Sequence, residues 1–185
     1  MVEAILEQKI TVKELFEMEL EEGFFYELIN GNIVKKQAPS PAHQQAVTEL
    51  VTIMNTFVRE KQLGKVYTSP IDVFFDKYNN TQPDIIFIRK DRDFIITDNG
   101  IEGHPDLIVE VLFPSTFRYD RKEKMELYCG FGVSEYWIVD PKNQAIEVYA
   151  LDVDGYTLAS FAIEKGEIES KVLEGFKMDI TAIFA

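Results

Sequence analysis

Between residues 11 and 64 the apolar positions recur at helical spacing at both ends and at strand spacing in between. TVKELFEMELEEG (11–23) opens with Thr11 and Glu14 at capping-box spacing and stops at Gly23, which predicts a short helix. FFYELI and NIVKKQ are joined by Asn30-Gly31, a pair suited to the positive φ angles of a type I′ turn, so residues 24–37 read as a hairpin. SPAHQQAVTELVTIMNTFVREKQLG (40–64) reads as a helix capped by Ser40 and ended by Gly64. Its apolar stripe runs through Ala46, Leu50, Ile53, Met54 and Phe57. Three strand candidates follow: KVYTSPIDVFF, PDIIFIR and PDLIVEVL. A second helix is predicted over about 119–130. EYWIVDPKNQAIEVYAL then reads as two strands joined at Pro141-Lys142-Asn143, and YTLASFAI as another. With no repeat and no low-complexity linker, residues 1–185 outline one α/β domain, a mixed sheet with helices packed on it.

One residue breaks the pattern. In HPDLIVEVLFPS, Leu107, Ile108, Val109, Val111, Leu112 and Phe113 suit a strand covered on both faces, yet Glu110 sits among them. A lone carboxylate in an apolar layer costs several kcal/mol or takes up a proton. Alternation puts Asp106, Ile108 and Glu110 on one face of that strand. Asp84 stands at the mouth of another apolar strand, straight after Pro83. The inward stripe of the second helix is Lys124, Leu127, Tyr128 and Phe131, which carries a base into the core 14 residues after the acid. Glu110 and Lys124 can neutralise each other as a buried ion pair. Alternatively, Asp84 and Glu110, at adjacent strand ends, can hold a divalent cation, with the lysine beside a reacting phosphoryl group.

The rest of the sequence narrows the metal. With one Cys and two His there is no zinc constellation, so a site must use oxygen ligands, which suits Mg²⁺ or Mn²⁺. Cys129 has no partner for an internal disulfide and suits a reducing cytoplasm. No stretch approaches the ~20 apolar residues of a membrane span, and the acidic opening MVEAILEQ is not expected to be a signal peptide. The net charge of −13 opposes nucleic-acid binding, but it is unevenly spread. Residues 1–30 carry two Lys and eight acids, and residues 141–185 four Lys and eight acids. The 110 residues between hold 13 basic and 16 acidic groups, a net of only −3.

Asp84 after Pro83, followed by an acid inside the next core strand, resembles the PD-(D/E)xK nuclease superfamily. Nearly the whole chain is similar to one bacterial branch of it, the Uma-two family. The resemblance lies in YELINGNIV, APSPAHQQAV, QPDIIFI, PDLIVEVLFPSTFRYDRKEKMELYCGFGVSEYWIVDP and IEVYAL, in order from about residue 10 onward. It implies a restriction-endonuclease-like fold: a mixed β-sheet flanked by helices, with an N-terminal hairpin and a C-terminal β-hairpin added. Asp84 then corresponds to the aspartate of the first motif and Glu110 to the acid of the second. The motif's lysine, two places after the acid, is replaced by Leu112; in this branch it comes from the following helix, which makes it Lys124. Phe113 stands where a serine is usual.

The implied function is a metal-dependent endonuclease acting on DNA phosphodiesters, with Mg²⁺ or Mn²⁺ on Asp84 and Glu110. Lys124 would position the attacking water and offset charge. Glu27, in the first hairpin, matches a further metal ligand of many enzymes of this fold, or is a solvated strand residue. Asp106 is expected to support the ligands from behind, or else to cap the strand entrance. Arg118, Arg121 and Lys122 are within reach of DNA phosphates if their helix borders the cleft, and otherwise form a charged solvent face. Asp120 and Glu123 have capping-box spacing, and Tyr136 and Trp137 suit the core. His43 and His104 read as local hydrogen-bonding residues at element starts. A homodimer is expected, because two strands must be cut. The competing classes are a catalytically inactive binding module that keeps the fold, and a hydrolase of another phosphate ester.

Overall fold

In the computed structural model, which describes residues 9–113 and 117–184, the chain begins with α1 (Val12–Glu17) and the hairpin strands β1 (Phe25–Ile29) and β2 (Asn32–Lys36). The long helix α2 (Pro41–Lys61) leads into β3 (Gly64–Thr68), β4 (Val73–Asp76), β5 (Asn79–Thr81) and β6 (Ile85–Arg89). After a 3-10 turn at Lys90–Ile95 come β7 (Ile96–Thr97), β8 (Gly100–Glu102) and β9 (Leu107–Val111). A π-helical turn at Tyr119–Glu123 runs into α3 (Lys124–Gly130). The strands β10 (Glu135–Asp140), β11 (Ala145–Asp152), β12 (Gly155–Ile163), β13 (Glu167–Glu169) and β14 (Lys177–Asp179) follow. The opening MVEAILEQ and residues Pro114, Ser115 and Thr116 lie outside the described residues. Among the described residues no helix is long and apolar enough to cross a membrane.

Local signals explain most of these boundaries. The Thr11–Glu14 capping box forms: the Thr11 N–H donates to Glu14 Oε2 at 2.7 Å, and the Glu14 N–H to Thr11 Oγ1 at 3.2 Å. The helix closes at Glu17, short of Gly23, because Met18 is already extended. Asn30 and Gly31 take φ of 52° and 79°, as the two-residue turn requires. Helix α2 ends at Gln62, left-handed at φ 56°, rather than at Gly64. Gly64 instead opens β3, where an added Cβ would lie 2.0 Å from the Ile88 carbonyl oxygen. KVYTSPIDVFF is not one strand. Ser69-Pro70 divides β3 from β4, and the halves join different sheets.

Two six-stranded sheets result, ordered β2-β1-β5-β4-β8-β7 and β12-β11-β10-β9-β6-β3, beside a small β13-β14 pair. In the second sheet β9 runs parallel to β10 and antiparallel to β6. Alternation gives this sheet two apolar faces. Ile85, Phe87, Leu107, Val109 and Val111 pack with Ala46, Leu50 and Met54 of α2. Ile86, Ile88 and Ile108 face Leu127 and Tyr128 of α3. The acid-bearing strand is thus covered on both sides, and its even-numbered residues point toward α3 and the first sheet.

Candidate active site

The pleat that sends Ile108 to the α3 side sends Glu110 there too, 2% exposed. The β6–β9 register pairs Ile85 with Val109. Asp84 immediately precedes β6, at the end of this strand pair where Glu110 lies. Both side chains line a cavity of ≈ 110 Å³ that also touches Lys36, His43, Gln82 and Phe113. The Val111 N–H donates to Asp84 Oδ2 at 2.8 Å, and His43 Nε2 lies 3.2 Å from the same oxygen. Burial alone would raise the Asp84 carboxyl, but the bond and charge from His43, with Lys36, hold it below its ordinary value.

Helix α3 delivers Lys124 into the core, fully buried. Its ammonium lies 2.8 Å from Glu110 Oε1, 3.0 Å from Glu27 Oε2 and 3.4 Å from Asp120 Oδ1. Tyr128, one helical turn on, donates its hydroxyl to Glu110 Oε1 at 2.7 Å and lies 3.2 Å from Thr81 Oγ1. Burial works against the lysine's charge. Glu110, Glu27 and Asp120 outweigh it and hold the ammonium protonated well above its ordinary value. Glu110 goes the other way: burial pushes its carboxyl up to about 8 despite Lys124 and Lys36, and Asp120 and Asp84 add to the rise. Glu27 is also desolvated, yet Lys124, Lys36 and the Gln82 N–H lower it below its ordinary value.

These contacts sort the candidates. Asp84, Glu110 and Lys124 come together. Lys124 is enclosed, however, and does not line the cavity; its charge meets Glu110, Glu27 and Asp120 instead. Glu27 is neither solvated nor cavity-lining; it is a buried counterion shared by Lys124 and Lys36. Asp106 is on the expected face but at the opposite end of β9, four residues or roughly 13 Å from Glu110. There it accepts from the Arg89 N–H at 2.8 Å and from Arg92 at 2.9 Å, which makes it the cap of the strand entrance. Arg121 is held by Glu147 through two bonds of 3.1 and 2.7 Å, and Arg118 pairs with Glu123 at 3.2 Å. Neither they nor the exposed Lys122 lines the cavity. Asp120 does not head a helix: it lies in the π turn, 1% exposed, against Lys124. Leu112 and Tyr136 are core residues on the α3 side, and Trp137 packs on the α2 side.

Lys36 is a charged cavity residue that the sequence did not single out, and His43, expected to bond locally, reaches Asp84 across the fold instead. Lys36 follows Val34 by two on β2, so a charge on the buried parity was its signal. Nothing local places His43 beside Asp84, 41 residues away.

Among the described residues no three His, Cys, Asp or Glu side chains enclose a metal ion. A pair of hard oxygen donors is present. The contacts to Asp84 fall on Oδ2 and those to Glu110 on Oε1, so Oδ1 and Oε2 have no hydrogen-bond partner among the described residues. Counting Glu27, Asp84, Glu110 and Asp120 against Lys36 and Lys124, four acids face two ammonium groups, an excess of two negative charges when all ionise. Two carboxylates with room for water fit a divalent cation that fills its shell with water and substrate oxygens.

A mixed sheet with acids at neighbouring strand ends and a helix behind them is a restriction-endonuclease-like architecture. The chain belongs to the Uma2 family, described as putative restriction endonucleases, which it matches over residues 12–181. It is also similar to the crystal structure of a putative nuclease belonging to DUF820 from Anabaena variabilis ATCC 29413. That likeness has a TM-score of 0.75 at 20% identity, covers 95% of this chain and 97% of the other, and bears on the fold. No curated protein matches.

Proposed function

We propose that the protein is a metal-dependent endonuclease hydrolysing DNA phosphodiester bonds, with Mg²⁺ or Mn²⁺ held by Asp84 and Glu110. One observation carries this reading: two acids on facing strands line one cavity, each with an oxygen that no described residue engages. When bound, the cation supplies Lewis acidity at the phosphorus and charge for the water that attacks it. The chain's own residues prepare for this. The Val111 N–H and His43 fix Asp84, while Lys124 and Tyr128 fix Glu110, so neither donor must reorganise at the moment of reaction. Lys124 is therefore a positioning residue that acts through Glu110. A homodimer would present two such sites, one to each strand of a duplex.

The competing reading is a non-catalytic binding module, favoured by the closed cluster of Lys124 with three acids. A plasmid-nicking assay with Mg²⁺, Mn²⁺ or EDTA, alongside calorimetric Mn²⁺ titration, separates the two. The nuclease predicts cation-dependent cleavage by wild type, and loss of both cleavage and Mn²⁺ binding in Asp84→Asn. Absence of Mn²⁺ binding in folded wild type refutes it and leaves the module.

A further inference from the structure

Two lysines share the buried Glu27, and they are not equivalent. Lys124 is fully enclosed among Glu27, Glu110 and Asp120 and has no cavity surface. Lys36 lines the cavity beside Asp84 and Glu110, its side chain 17% exposed. Its ammonium donates to Glu27 Oε1 at 3.1 Å and to the Gln82 carbonyl at 3.3 Å. An ammonium has three N–H donors, so one has no acceptor among the described residues. Glu27 is itself held in place: the Gln82 N–H donates to Oε1 at 2.8 Å, and Lys124 grips the carboxylate from the other side. Lys36 is thus a cation on a rigid mount at the wall of the cavity. Burial is the largest influence and disfavours its charge, as does Lys124, but Glu27, Glu110 and Asp84 together hold the ammonium above its ordinary value.

We infer that Lys36 is the lysine that touches the substrate at this site, giving its third N–H to a non-bridging oxygen of a phosphodiester held against Asp84 and Glu110. A point charge on a fixed mount suits a phosphate oxygen, because donors already oriented need no reorganisation as negative charge develops. Glu27 then acts as the spacer that sets both lysines, Lys124 under Glu110 and Lys36 over the cavity. The inference rests on the nuclease reading for its substrate class, but it concerns a binding contact that can be measured without cleavage.

The test uses a minimal phosphodiester, the p-nitrophenyl ester of thymidine 5′-monophosphate, with binding and release of p-nitrophenol followed separately with and without Mn²⁺. Lys36→Gln is expected to weaken binding about tenfold or more, the loss typical of a charge-assisted bond. Lys36→Arg should recover most of the affinity, which a purely structural role would not require. Lys35→Gln is the control: Lys35 neighbours Lys36 but pairs with Glu21 away from the cavity, so its loss should change nothing. If Lys36→Gln is not folded, acetylation of Lys36 in the wild type decides. The diester, but not thymidine, should slow acetylation several-fold. Binding to wild type without turnover would overturn the nuclease reading and support the Lys36 contact, provided Lys36→Gln loses that binding. Equal affinity in wild type and Lys36→Gln, equal acetylation with and without the diester, or no binding to wild type would overturn the inference.

Discussion

Replacing Glu110 by glutamine keeps the shape of the side chain and removes its charge. The amide oxygen can still accept from Lys124 and Tyr128, and Lys124 keeps Glu27 and Asp120 as counterions. A carboxyl raised from its ordinary 4.5 to about 8 favours the folded state at low pH and loses that contribution as pH climbs to about 8. The contribution amounts to on the order of 5 kcal/mol. In EDTA the wild type should therefore lose stability between pH 5 and 8 relative to Glu110→Gln. The difference in Tm should move by about 10 °C or more in the mutant's favour, since 1 kcal/mol is worth about 2–4 °C at this chain length. Thermal melts at half-unit pH steps read this directly. At pH 7.5, Mn²⁺ should raise the Tm of wild type and leave Glu110→Gln unmoved. The reasoning fails if the mutant loses about 3–5 kcal/mol at pH 7.5, the cost of breaking a buried pair, and Mn²⁺ moves neither protein.

Tyr128→Phe removes the hydroxyl bonded to Glu110 and should cost about 1–2 kcal/mol in urea unfolding, with weaker Mn²⁺ binding. Glu135 is fully buried and accepts from the Trp137 indole, the Ser170 hydroxyl and the N–H groups of Lys171 and Val172. Glu135→Gln leaves some of these donors without an acceptor, so a loss of about 2–4 kcal/mol is expected in the same assay. On DNA, Arg118→Ala and Lys122→Ala should each lower the slope of log affinity against log salt by about one if they touch phosphates. Arg121→Ala should leave that slope unchanged, because Glu147 already holds the guanidinium.

Period and composition make Glu110 and Lys124 legible in the sequence: each is a charge on an apolar face, and a face is what periodicity defines. Periodicity does not say which end of a strand meets the site. Asp106 shares the parity of Glu110 yet caps the far end of β9 against Arg92. The helices and the central strands came through because their apolar patterns are long, whereas β5, β7 and β8 are two or three residues each and their pairing is decided by tertiary contact. Pro70 marked the break in KVYTSPIDVFF, but a proline within an apolar run is equally compatible with an edge strand. The cavity was the least legible part. Lys36, His43 and Asp84 meet across β2, α2 and β6, and only the packing of two sheets and a long helix brings them together.

Lys124 sits on α3 and Glu110 on β9, and this decides what holds the cluster together. The acid and its cation belong to different elements, so the docking of α3 onto the sheet and the neutralisation of the cluster are one event. If the helix lifts, Lys124 leaves Glu110 and Glu27 together, and only Glu27 keeps another cation, Lys36. Opening of α3 should therefore be rare, all-or-none and accelerated by alkaline pH, with the amides of residues 124–130 exchanging hydrogen as a group. A ligand that draws Glu110 toward the cavity would loosen that latch, and its binding would then register as motion in a helix that does not line the cavity.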